Sequence, residues 1–275
     1  MKILIPTDFS ESSRVAFDYA YSLFSTFENV EFVLLNSYEM PHSGAAGGVM
    51  MSLEDAMHKE SKRDLSLEVR HFKSKYPEVV IESVSIFGEI GNSVSRINKK
   101  NNIDVVVMGT HGAKGFKKAL LGSNTEDVIE SSLVPVISVP SKTEYRPIKK
   151  IVYATDLQRI ENPEALQPLC NIAKHFDAVI HIVYVTDDAS SVSFEMETDQ
   201  PTLKDIFKER KKEFHVVESD DVTLGISHYI SEIDADLLVL LPKEASFWRK
   251  LTNNSVTEKM AFQAKVPMLT IKDKK

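Results

Sequence analysis

Ile3-Leu4-Ile5-Pro6-Thr7-Asp8 is a short apolar run closed by a proline, a hydroxyl and a carboxylate. It recurs 148 residues later as Ile151-Val152-Tyr153-Ala154-Thr155-Asp156. A repeat at this distance in a chain of 275 residues predicts two related domains in tandem, each long enough to bury its own core. The same offset carries Leu34-Leu35-Asn36-Ser37 onto Ile182-Val183-Tyr184-Val185. Near the end of each half, Ser123-Asn124-Thr125-Glu126 falls on Ser255-Val256-Thr257-Glu258, and Val134-Pro135-Val136-Ile137 on Val266-Pro267-Met268-Leu269. The offset there is 132, so the second copy is 16 residues shorter between its second strand and its third helix. In that interval the first copy carries Ser43-Gly44-Ala45-Ala46-Gly47-Gly48, read as a flexible surface loop or a lid, and then a long helical stretch.

Within each half, short β-branched runs alternate with longer helical patterns, which is the signature of βαβ units and a mostly parallel sheet. The first half contains five such runs, at about Lys2–Thr7, Glu31–Ser37, Val79–Ile86, Ile103–Gly109 and Val134–Val139. Most are almost continuously apolar, as strands covered on both faces are. Ser10 is a candidate N-cap for a helix whose apolar positions are Val15, Phe17, Tyr19, Ala20, Leu23 and Phe24. In the second half, Asn162-Pro163 reads as an N-cap followed by proline at the first helical position, with Leu166, Leu169, Ile172 and Ala173 as the core stripe. The polar link Ser141–Lys149 separates a first domain, 1–141, from a second, 148–275.

Composition excludes several classes. A formal net charge of -7 lacks the basic field that phosphate backbones require, so no nucleic-acid partner is expected. No apolar stretch approaches the roughly 20 residues that span a bilayer, and the N-terminal run is interrupted too soon to be a signal peptide, so no membrane partner and a cytoplasmic location are expected. The single cysteine, Cys170, reads as a small buried group on a helix. None of the eight histidines has a spacing such as His-x3-His, and no metal site is expected. The P-loop pattern Gly-x-x-x-x-Gly-Lys-Ser/Thr is missing, and neither first strand is followed by Gly-x-Gly-x-x-Gly.

In open α/β sheets, ligands sit beyond the carboxyl ends of strands where connections diverge. The segment after the fourth strand reads Met108-Gly109-Thr110-His111-Gly112, and nine residues later Gly122-Ser123-Asn124-Thr125. Glycines let main chain approach a polyphosphate closely, and Gly122-Ser123 would open a helix whose N-terminus favours an anion. Lys114, Lys117 and Lys118 would add positive charge or form a solvated face. Ser123-x-x-Glu126 also matches a capping box, and Ser255-x-x-Glu258 keeps that box where the glycines become Leu241, Glu244 and Asn254.

Gly-x2-Gly-x9-Gly-Ser after an apolar strand, with Pro-Thr-Asp ending the first strand, resembles the ATP-binding signature of the universal stress protein family. The resemblance covers nearly the whole chain. It implies two five-stranded, Rossmann-type parallel-sheet sandwiches of the adenine nucleotide alpha hydrolase-like kind. It also implies ATP, with Mg2+ or Mn2+ on its phosphates, in the first domain. Gly109, Gly112, Gly122, Ser123 and Asn124 would face ribose and phosphates, Pro6, Thr7 and Asp8 the adenosine side, and Ser37 the base. Met108, His111 and Thr125 complete the implied set. His111 would touch phosphate or order the turn. The second domain, with Glu244, Phe247 and Trp248 in the corresponding loop, reads as a degenerate partner. The resemblance further implies pairing of domains through their fifth strands, Val134–Val139 and Val266–Ile271, and a possible homodimer. The function implied is a nucleotide-responsive stress protein; an interaction protein without nucleotide and a slow ATPase or phosphotransferase remain the alternatives.

Overall fold

The computed structural model describes residues 1–40, 47–110, 122–158, 160–188, 203–242 and 266–273. They form two compact units, one within residues 1–142 and one within 143–273.

The first unit runs β1 (Lys2–Pro6), α1 (Glu11–Phe24), β2 (Glu31–Tyr38), α2 (Gly47–Lys75), β3 (Ile81–Phe87), α3 (Ile90–Asn101), β4 (Val105–Gly109), α4 (Ser123–Ser131) and β5 (Val136–Val139). Its strands pair only in parallel, in the order β3-β2-β1-β4-β5. All five lie where the apolar runs predict, with β3, β4 and β5 each starting two residues later than expected. Ile3, Leu4, Ile5, Val106, Val107 and Ile137 are wholly buried, which accounts for their unbroken apolar character.

Helix α1 begins as its N-cap predicts, with the Ser10 hydroxyl accepting from the Ser13 amide at 3.3 Å. Three rows of contacts fasten α2 along it. Arg14 forks onto the buried carboxylate of Glu68, Phe17 stacks on Phe72, and Tyr21 stacks on Tyr76. The α2 residues 61, 65, 68 and 72 recur at helical spacing and are all buried. Helix α2 starts at Gly47, so Gly47 and Gly48 belong to a helix, against the expectation of a loop through Gly48; residues 43–46 lie outside the described residues. On the other side of the sheet α3 meets α4. The Gly91 amide donates to Asp127 at 2.9 Å, and the Ser95 hydroxyl donates to the Ser131 carbonyl at 3.2 Å.

The second unit runs β6 (Lys150–Ala154), a 3-10 turn (Pro163–Leu166), α5 (Gln167–His175), β7 (Val179–Thr186), α6 (Leu203–Ile206), β8 (Lys212–Glu218), α7 (Val222–Ile233), β9 (Leu237–Leu240) and β10 (Met268–Thr270). Its order, β8-β7-β6-β9-β10, is that of the first unit and is again parallel. Asn162 holds the N-cap position before Pro163, but its side chain makes no capping bond and the turn it opens is 3-10 rather than α. The predicted core residues Leu166, Leu169, Ile172 and Ala173 are buried. Cys170 is buried as well, and burial raises its thiol pKa, which keeps it protonated.

Both units start their sheets with the same device. An aspartate just before the fourth strand accepts from amides at the head of the first strand: Asp104 from Lys2 at 2.7 Å, and Asp236 from Lys149 and Lys150 at 2.8 and 2.9 Å. In the second unit Arg146 also forks onto Asp234 at 2.7 and 2.9 Å and pairs with Asp236, which gives the polar link a structural anchor.

Candidate functional site

The strand order makes β1 and β4 neighbours, and their connections diverge. β1 leads through α1 to β2 on one side, and β4 leads through α4 to β5 on the other. Right-handed crossovers then put α1 and α2 on one face and α3 and α4 on the opposite face. A crevice opens between such diverging connections at the carboxyl ends of the strands. Pro6, Thr7 and Asp8 stand at the end of β1, Met108 and Gly109 at the end of β4, and Ser37 near the end of β2. His111 and Gly112 lie outside the described residues, as do Lys114, Lys117 and Lys118.

The end of β1 is a tightly specified turn. The Thr7 amide donates to Leu35 at 2.8 Å, the Asn36 side chain donates to the Thr7 carbonyl at 2.8 Å, and the Phe9 amide donates to the Thr7 hydroxyl at 3.0 Å. The Asp8 carboxylate accepts from the Ser10 amide at 3.1 Å and from its hydroxyl at 2.5 Å, while remaining exposed. Phe9 takes a left-handed φ of 64°. The second unit repeats the left-handed residue and the amide bonds to the threonine and the aspartate. Leu157 has φ 57°, its amide donates to the Thr155 hydroxyl at 3.1 Å, and the Gln158 amide donates to Asp156 at 3.0 Å. The Thr-Asp pair therefore builds this turn in both halves.

Gly109 is explained in part by packing. A Cβ built there would lie 2.8 Å from the carbonyl oxygen of Ser12 and closer still to its hydroxyl, so the end of β4 can press against the first turn of α1 only without a side chain. Beyond it, the Thr110 amide donates to Val139 at 3.0 Å, and the Gly122 amide donates back to Thr110 at 2.7 Å, closing the base of the intervening segment. Gly122 is the N-cap of α4, with φ -62° and ψ 149°. Its carbonyl accepts from Thr125 at 2.8 Å and Glu126 at 3.1 Å, leaving the amides of Ser123 and Asn124 with no acceptor inside the helix.

These details correct the capping-box expectation. Ser123 is the first helical residue rather than the N-cap, and no side chain caps α4. Ser123 and Asn124 are exposed at the helix start, whereas Thr125 turns inward and its hydroxyl donates to the Gly109 carbonyl at 3.0 Å. That bond ties the helix to the strand end and assigns Thr125 a positioning role. Ser37 is occupied too: its hydroxyl donates to the Gly88 carbonyl and meets the Ser93 hydroxyl at 3.1 Å.

A scan against family models matches the Universal stress protein family twice, over residues 1–140 and 147–272. The chain belongs to the universal stress protein family. Among curated relatives, it is 29% identical to Universal stress protein MJ0577 of Methanocaldococcus jannaschii over 51% of this chain and 95% of that protein. It is 28% identical to Universal stress protein MJ0531 of the same organism, over 50% of this chain and 81% of that protein. Among solved structures, a universal stress protein from Archaeoglobus fulgidus aligns over 98% of this chain and 96% of its own with a TM-score of 0.69 at 19% identity, a likeness of fold. The tandem universal stress protein architecture and its Rossmann-like parallel sheets are thus those the repeat predicts. Among the described residues, no helix is long and apolar enough to cross a membrane.

In the second universal stress protein unit, the strand ends of β6 and β9 enclose a cleft of only about 10 Å3, room for about one water. Tyr153, Asp156, Ile160 and Leu241 line it, and Leu241 stands where the first unit has Gly109. Glu244, Phe247, Trp248 and Asn254 lie outside the described residues.

One constellation is invisible to spacing rules applied within a single element. His181 on β7 and Glu213 on β8 are register partners, and His215 follows Glu213 by two residues on the same face. The His181 Nδ1 lies 3.3 Å from His215 Nε2, 3.6 Å from Glu213 Oε2 and 3.0 Å from the Tyr229 hydroxyl of α7. Glu213-x-His215 at strand spacing, with a histidine in the preceding strand, is the sequence signal that would have found it.

Proposed function

We propose that the first unit binds ATP, with Mg2+ or Mn2+ on its phosphates, and that the chain is a nucleotide-responsive stress protein. The observation that carries this reading is the span of Gly-x2-Gly-x9-Gly-Ser: it leaves the sheet at Gly109, at the β1/β4 switch point, and ends at Gly122-Ser123 on the N-terminus of α4. The Ser123 and Asn124 amides and the positive end of the α4 dipole suit a phosphate group. The exposed Asp8 carboxylate, held by Ser10, suits a ribose hydroxyl, and the oxygens of the phosphates would supply most ligands of the cation. Gly112 and His111 belong to the same segment and complete the proposed contacts.

Binding is proposed for one unit of the two. Leu241 in place of Gly109 argues for a second unit that carries no triphosphate. The proposed role of ATP is to bias the surface offered to partners; linear phosphate release over many turnovers would instead favour an enzyme.

An interaction protein without nucleotide is the second reading. It is favoured by two observations: Ser37 is bonded to Gly88 and Ser93, and Gly109 is required by its approach to Ser12. Mass spectrometry of nucleotide released from freshly purified, heat-denatured protein separates the two. Adenine nucleotide near one per chain, with a rise in Tm on adding Mg-ATP, is expected; neither nucleotide nor a Tm response would leave the second reading standing.

A further inference from the structure

His181, Glu213 and His215 bring three metal-ligating atoms within 4.8 Å of one another. The separations carry more than the proximity. Four ligands about 2.0 to 2.1 Å from a zinc ion at tetrahedral angles lie about 3.3 to 3.4 Å apart. His181 Nδ1 to His215 Nε2 is 3.3 Å, His215 Nε2 to Glu213 Oε2 is 3.3 Å, and His181 Nδ1 to Glu213 Oε2 is 3.6 Å. The three atoms thus form one face of a coordination tetrahedron.

Hydrogen bonding accounts for this arrangement poorly. The Tyr229 hydroxyl at 3.0 Å can serve His181 Nδ1 and Glu213 at 3.3 Å can serve His215 Nε2, but those bonds leave the two ring nitrogens facing each other at 3.3 Å. One cation at the centre satisfies both ring nitrogens and the carboxylate at once.

The first unit supplies the internal comparison. The register pair Val33 and Glu82 corresponds to His181 and Glu213, Val84 corresponds to His215, and the eighth residue of α3, Ile97, corresponds to the eighth of α7, Tyr229. Val33 and Ile97 are buried core, and Val84 is half-buried. The same fold is therefore built with aliphatic residues at three of these four positions. Placing two imidazoles and a phenol there loses apolar burial, and the fold itself does not require the exchange.

We propose that His181, Glu213 and His215 form a binding site for a divalent transition metal ion of the zinc type, with water in the fourth position. The chemistry of the site fits. Each histidine offers one ring nitrogen and Glu213 one carboxylate oxygen, the donors that zinc-type ions take. The Tyr229 hydroxyl lies 3.0 Å from His181 Nδ1, and a neutral phenol there is a neighbour rather than a ligand. Glu213 is 57% exposed and His215 32%, which provides an entry path and an open side for exchangeable water. Two imidazoles and one carboxylate with an open position is a ligand set that zinc ions take elsewhere.

The test uses the full chain after treatment with a chelator, titrated with Co2+ and then Zn2+. One Co2+ per chain, with the intense visible absorption of a four-coordinate ion and displacement by Zn2+, is expected; a cation on phosphates is six-coordinate and lacks that band. His215→Ala and Glu213→Gln, both at partly exposed positions, should each weaken binding at least about tenfold, and Tyr229→Phe should bind as well as the parent. Absence of the four-coordinate band in the parent chain, or unchanged affinity in both ligand variants, overturns the proposal.

Discussion

Ser12 and Gly109 meet main chain to main chain. A methyl group on Gly109 would come within 2.8 Å of the Ser12 carbonyl oxygen and within 3.0 Å of its carbonyl carbon, atoms that cannot swing aside. Gly109→Ala is therefore expected to force β4 and α1 apart and to destabilise the first unit by about 1–3 kcal/mol. Urea unfolding measures the loss. A variant as stable as the parent would show that the contact yields.

Gly122 differs in kind. Its φ of -62° and ψ of 149° suit any residue, so Gly122→Val should still fold, with a loss of about 1 kcal/mol from a poorer N-cap, while a side chain at the start of α4 blocks the proposed phosphate position. Loss of ATP affinity by calorimetry, with the fold retained, is expected. Equal affinity would move the nucleotide elsewhere.

Arg14 is half-exposed, but the Glu68 side chain it forks onto is buried at 5% exposure. Arg14→Ala leaves that carboxylate without its guanidinium, which should lower stability by about 1–3 kcal/mol, less than for a fully buried pair because water reaches the vacated side. Circular dichroism in denaturant reads it. Pairing Arg14→Ala with Glu68→Gln should recover part of the loss, because a neutral amide is less costly to bury.

Burial lowers the His181 pKa, Glu213 opposes that shift, and His215 and Lys150 reinforce it. These groups face it from β8 and β6, and Tyr229 covers it from α7. A folded pKa below the unfolded value of about 6.5 means that the unfolded chain binds the proton more tightly. The contribution of His181 is thus fully present above that pH and is lost as pH falls through the folded value. In the presence of chelator, acidification from neutrality should destabilise the parent more steeply than His181→Gln; parallel pH profiles would contradict the assignment.

The five-strand pattern of each half was legible because strands covered on both faces must be apolar along their length, as Ile3–Ile5 and Val105–Val107 are. Ser10 was legible as an N-cap because its bond to Ser13 is local. Ser123 was misread because Gly122, with no side chain to signal a cap, takes that position through its backbone alone. The bond between Gly122 and Thr110 was likewise hidden, since a backbone bond between residues distant in sequence leaves no mark on residue type.

Local patterning by itself determined the tandem repeat, the alternation of strand and helix, and the position of the glycine motif after β4, because each follows from residues close in sequence. Tertiary structure decided which roles those residues hold. Gly109 answers to Ser12, 97 residues away, and Thr125 to the carbonyl of Gly109, while His181 finds Glu213 and His215 only because β7 and β8 lie in register. Spacing along a chain encodes faces of single elements; which faces meet is set by strand order and register, and there the chemistry of both units is assembled.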